Sequence, residues 1–158
     1  MTSTILSWAA VGLLLVTSVG LLLSRDWRWS LGFLAAQYLG MFWLVSLHWP
    51  FGLASIKLVT GWMAAAALGV TRMDISDKEK EAESTWPQGR SFRLLAAAIV
   101  VVLIIAAPPS VETVIPGISR PVIAGGLLLA GMGLLQLGIS PGILQIILGL
   151  LTVMAGFE

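Results

Sequence analysis

The sequence predicts an all-α fold: a polytopic transmembrane helical bundle of about six spans with both termini outside. Three observations predict it. Of 158 residues, 58% are hydrophobic and 11% charged, against about 45–50% and about 25% in soluble domains. The mean hydropathy is +0.96. The apolar residues gather into long stretches near 5–23, 30–48, 51–70, 92–107, 122–139 and 142–157, and most charges fall between them. Lipid is the solvent that suits such a distribution, because a soluble domain has no way to cover this much apolar surface.

Each stretch is roughly 16–20 residues, near the ~20 that a helix needs to cross a hydrocarbon core. Helices are required because backbone groups in lipid must be satisfied within the segment, and the alternation of an outer-membrane strand is missing. The first stretch lacks a basic start and runs into Ser24-Arg25-Asp26 rather than a cleavage site, so it reads as a retained anchor. The second opens behind Trp27, Arg28 and Trp29, and the third follows His48-Trp49-Pro50. The fourth is the shortest, stopped by Pro108-Pro109. The fifth and sixth meet at Ser140-Pro141-Gly142, where a re-entrant pair over 122–157 would give a five-span alternative.

Lys and Arg are enriched in cytoplasmic loops. Arg25 and Arg28 lie between spans one and two, and Arg72, Lys78, Lys80, Arg90 and Arg93 between spans three and four. Both loops are therefore expected inside, with His48-Trp49-Pro50 and 108–121, whose only Lys or Arg is Arg120, outside. The expected setting is the cytoplasmic (inner) membrane, as a multi-pass protein. Trp27, Trp29, Trp49 and Trp86 fall at boundaries, as an aromatic belt requires. Residues 1–70 form a first three-helix half, 71–93 a cytoplasmic polar loop and 94–158 a second half. Asp74–Glu83 carries both signs and reads as a solvated loop or short surface helix, a place for a cytoplasmic partner to dock. The halves share no visible repeat, which favours plain hairpin stacking over a repeat transporter.

A net charge of +1 with no basic stripe gives nucleic acid no footprint. Without cysteine the chain has no disulfide, thiolate metal site or Cys nucleophile. His48 is the only histidine, so a bis-His haem or a Ser-His-Asp triad cannot be assembled within the chain; it reads as an interfacial polar cap. Walker A, Gly-x-Ser-x-Gly, His-Glu-x-x-His and dinucleotide motifs are missing. The expectation is a protein that is not an enzyme and has no cofactor or metal.

Lys57 is the one charge set inside an otherwise apolar span. Such a group marks a functional site by default, since a charge at depth needs a partner or a wet cavity. Ala54, Lys57, Gly61 and Ala64 recur at three- and four-residue steps, one small-residue face that turns the lysine toward protein. Lys57 lies only ~7–8 Å along its span by helix rise. Two readings stand: an ion-pathway group, or a structural ion pair or lysine snorkelling to the outer interface. Gln145, Gly149, Thr152 and Gly156 form a polar and small stripe on the last span, ending beside Glu158. Gly126, Ala130 and Gly133, with Gln136 nearby, form another close-packing face on span five. Span six runs outward, which brings Glu158 to the same outer third as Lys57, as a pairing candidate.

The stretch Leu148-Gly149-Leu150-Leu151-Thr152-Val153-Met154-Ala155-Gly156-Phe157-Glu158 resembles a helix of small polytopic subunits of respiratory complex I, membrane-bound hydrogenases and cation/proton antiporter complexes, where a Gly-x-Glu step sets a carboxylate within the membrane. The resemblance implies a cofactor-free subunit beside larger proton-pumping partners, with Glu158 as the carboxylate and Lys57 as its candidate partner in a proton path. The expected function is thus a non-catalytic integral membrane subunit, packing its Gly/Ala faces against other membrane subunits or a second copy in an ion-translocating complex. A small autonomous transporter or channel using Lys57 and Glu158 is the alternative, and a scaffold docking a partner through 71–93 is the third.

Overall fold

The structure is a computed structural model that describes residues 2–24, 26–47, 49–73, 89–107, 117–140 and 142–157. Among them are six helices and no strand: α1 (Thr2–Leu23), α2 (Trp27–Ser46), α3 (Phe51–Met73), α4 (Arg90–Ala106), α5 (Arg120–Ile139) and α6 (Ile143–Phe157). Pro50 precedes α3, and Pro121 sits in the first turn of α5 behind Ser119, where proline's fixed φ and missing N–H do no harm. Several hydroxyls inside the helices are satisfied locally. The hydroxyls of Thr17, Ser55, Thr60, Thr71 and Thr152 each donate to the carbonyl four residues back, an economy suited to lipid.

Three helical segments are long and apolar enough to cross a membrane: Thr4–Leu23, Phe51–Thr71 and Arg120–Ile139. α2 has the length, at 20 residues, but Gln37, Tyr38 and its tryptophans dilute it. Ser91–Ala106 and Ile143–Phe157 are shorter apolar helices. The polar loop expected over 71–93 is trimmed at both ends, since α3 runs on to Met73 and α4 begins at Arg90. Residues 74–88, including the Asp74–Glu83 cluster and Trp86, lie outside the described residues, as do Arg25 and His48.

α5 and α6 form the most extensive pair, followed by α1–α2, α2–α3, α1–α5 and α4–α5. α1 and α5 are central. Leu14, Leu44, Ile104, Leu128, Leu129 and Met132 knit α1, α2, α4 and α5 into one core, and Leu21, Leu34, Ala65 and Leu148 form a second between α1, α2, α3 and α6. α3 is peripheral, seated mainly on α2 through Trp62 Nε1 donating to the Ala35 carbonyl at 3.2 Å and an edge contact of Phe42 on Phe51. Its outer face exposes Ile56, Val59, Met63 and Val70, and that of α4 exposes Leu95, Ile99, Val102 and Leu103.

Helix ends alternate between the two ends of the bundle. At one end Ser30 Oγ of α2 donates to Ser24 Oγ just past α1, and Arg93 Nη1 of α4 donates to the Leu22 carbonyl at 3.1 Å. That guanidinium meets the negative end of the α1 dipole, where the last carbonyls lack intrahelical donors. At the other end, the C-terminal turns of α2 and α6 meet the N-terminal turns of α3 and α5 around a cavity.

Candidate functional site

The cavity holds about 300 Å³ and includes Leu14 of α1, Met41 and Leu44 of α2, Leu53 and Lys57 of α3, Gly125 and Gly126 of α5, Gly156 of α6 and Trp49. Among the described residues Lys57 is the one charged residue on its wall. α3 aims it there because Ala54, fully buried, and Gly61, also buried, lie on the same face one turn to either side. The lysine is half-buried, and it faces the interhelical space. The rest of the described wall is largely apolar, so Lys57 is the group on it that could orient an anionic or strongly accepting group.

The glycines singled out in the sequence sit at helix crossings. On Gly156 a Cβ would lie 2.5 Å from the Ala130 nitrogen and 2.7 Å from the Gly126 carbonyl oxygen. On Gly133 it would lie 2.7 Å from the Val153 nitrogen and 2.8 Å from the Gly149 carbonyl oxygen, and on Gly149 it would lie 3.2 Å from the Gly133 carbonyl oxygen. The two small stripes of α5 and α6 therefore face each other, backbone to backbone. Gly61 instead faces the Tyr38 ring, which leaves no space for a Cβ. Gln136 is buried and its Nε2 donates to the Gln145 backbone carbonyl at 3.4 Å, while the Thr152 hydroxyl is committed to Leu148 of its own helix. Glu158 lies outside the described residues, two positions beyond Gly156, and its pairing with Lys57 lies outside them too.

Two polar residues escaped the sequence reading. Gln37 is 2% exposed, and neither its amide nitrogen nor its amide oxygen has a hydrogen-bond partner among the described residues; the same holds for Ser18 Oγ. A glutamine inside the run Leu34-Ala35-Ala36-Gln37-Tyr38-Leu39 was the available signal, because an uncharged amide in lipid is still expensive. Arg93, counted with the charges between spans three and four, lies half-buried in the first turn of α4. The fold and site define the class as an α-helical bundle with helices able to cross a membrane. Compared with known protein families, characterised proteins and solved structures, the chain matches none of them.

Proposed function

We propose that this chain is a six-span protein of the cytoplasmic membrane, both termini outside, and a non-catalytic subunit of an ion-translocating assembly. The observation that carries the reading is Lys57 on the wall of an interhelical cavity in an apolar bundle, since intramembrane cations are retained where they serve a pathway or a partner. The alternation of helix ends fits six successive crossings. At 15 residues α6 spans ~22 Å, short of the ~30 Å hydrocarbon core, a mismatch that local thinning or neighbouring protein accommodates. The outward apolar faces of α3 and α4 offer surfaces for membrane neighbours. The likeness of Leu148–Glu158 to small subunits of proton-pumping complexes points the same way.

The autonomous transporter remains the second reading, favoured by the cavity itself. Purification in mild detergent separates the two. Stoichiometric co-purification of other membrane proteins supports the subunit, whereas a solitary protein that conducts ions in liposomes defeats it. In either setting, Lys57→Met removes the charge while keeping an apolar stem on the wall, and ion movement is expected to fall at least about tenfold, the scale of one lost charge-assisted contact. Unchanged flux would make the lysine structural.

A further inference from the structure

The cavity beside Lys57 is graded from rim to floor. On its wall Trp49, Leu53 and Ile118 are 63%, 49% and 40% exposed, whereas Leu14 and Leu129 are 0% and 1% exposed. It is open at the end where α3 and α5 begin and closed against the middle of α1 and α5. From Val122 to Leu129, both on the wall, α5 rises ~10 Å. At about 300 Å³ the space reaches the lower end of the about 300–1,000 Å³ typical of small-molecule sites. Lys57 stands one turn inside Leu53, and long side chains on a helix lean back toward its N-terminus, a direction that carries the ammonium toward the rim. The charge therefore sits by the mouth, and the apolar wall lies beyond it.

We infer that the cavity binds a single-chain carboxylate of medium length, its head on the Lys57 ammonium and its tail running inward to Leu14 and Leu129. The wall selects both ends of such a molecule. Apolar cavities stay dry and take up apolar molecules, so the inner part suits a hydrocarbon tail of ~10 Å, the rise of α5 along it. The ammonium suits a carboxylate through a charge-assisted hydrogen bond, made near the rim where both groups keep part of their water. Lys57 already interacts with another group of the protein, and its three donors let a carboxylate join beside that contact. The helix ends add no preference of sign, because the N-terminal turns of α3 and α5 and the C-terminal turns of α2 and α6 meet at the same rim. A diacyl phospholipid brings a second tail that needs about twice the space one tail fills, so the occupant is a free amphiphile. The site goes beyond ion movement and rests on the membrane-spanning reading only for the side from which the ligand arrives.

The test uses the protein in phosphatidylcholine nanodiscs with isotope-labelled octanoate, which is ionised at neutral pH, and empty discs as background. Saturable binding above that background is expected. Lys57→Met should weaken octanoate at least about tenfold, the scale of one charge-assisted bond. The same variant should bind octanol, which has the tail without the charge, as well as the unaltered protein does, and that retention shows the cavity intact. Val45→Phe, which fills the cavity from its wall, should weaken both probes, whereas Val45→Ala should weaken neither. Dioctanoyl phosphatidylglycerol should compete far less well than unlabelled octanoate. Octanoate that never rises above the empty discs would overturn the site. Undiminished octanoate binding in K57M, or loss of both probes there, would take the head group away from Lys57. Indifference of both probes to V45F would move the ligand out of the cavity, and competition by the phospholipid equal to that of octanoate would replace the single-chain ligand. Retention in alkali-washed vesicles separately tests the spanning reading, so the two fail independently.

Discussion

The α5–α6 seam and the α2–α3 seam both place glycine at a helix crossing, yet they differ in what the glycine faces. Between α5 and α6, Gly126, Gly133, Gly149 and Gly156 lie against backbone nitrogen and oxygen atoms of the opposite helix. Between α2 and α3, Gly61 lies against a side chain, the Tyr38 ring, and towards one end the seam widens into the Lys57 cavity. Small-residue faces let backbones approach, and in lipid that approach replaces the hydrophobic drive a soluble core would have. One seam is therefore fixed by the main chain and has no freedom to adapt. The other is set by side chains and leaves room, and the lysine stands on that one. Gly126 and Gly156 of the close-packed seam also line the cavity, so one of its walls is held by main-chain contacts while Lys57 stands on another.

The largest expected effect breaks the rigid seam. Gly156→Leu drives a side chain into the Ala130 nitrogen and Gly126 carbonyl, atoms that move only if a helix moves. The expected cost is at or above the top of the ~1–3 kcal/mol usual for overpacking, read as a collapse of the unfolding midpoint in a mixed-micelle titration. A loss under ~1 kcal/mol would mean that the two helices do not cross as closely as Gly126 and Gly156 imply.

A middle-sized effect sharpens the contrast. Gly61→Ala meets the Tyr38 ring, and a ring can be removed where a backbone cannot. The single substitution should destabilise by about 1–3 kcal/mol, and the same change made on Tyr38→Ala should cost less, with a coupling of at least ~0.5 kcal/mol. The parallel cycle of Gly133→Ala with Val153→Ala should show little relief, because removing Val153 Cγ2 at 2.7 Å leaves the Val153 nitrogen at 2.7 Å and the Gly149 carbonyl oxygen at 2.8 Å in place. Equal relief in both cycles would erase the distinction between the seams.

Much of this was legible in the chain because a long apolar run satisfies its own backbone groups best as a helix. α1 to α6 fall where those runs fall, to within a few residues, and three of them contain segments long and apolar enough to cross a membrane. The glycine stripes were legible as three- and four-residue recurrences, but periodicity names a face and not its neighbour; that Gly126 meets Gly156, while Gly61 meets a tyrosine, depends on crossing geometry. Gln37 was obscured for a related reason: α2 has tryptophan, phenylalanine and tyrosine around its circumference, so no polar face stood out and one amide was lost among them. Arg93 read only as a flanking positive charge at the start of the fourth stretch; what periodicity did not show is that its long stem reaches the Leu22 carbonyl of another helix. The cavity has no sequence signature at all, being the space left where five helix segments diverge around Lys57.

The smallest expected effect has the opposite sign and guards the comparison against a trivial explanation. Were every glycine here costly to replace simply because the bundle is tight, the seams would have nothing special about them. Gly12 lies on α1 with nothing within 4 Å of where a Cβ would go, on an exposed side of the helix. Alanine there adds no clash and removes the backbone entropy that glycine loses in a helix, so Gly12→Ala should stabilise by about 0.5–1 kcal/mol. A destabilisation at Gly12 comparable with that of Gly156→Ala, measured in the same titration, would show that the cost follows glycine itself and not the backbone contacts of the α5–α6 crossing.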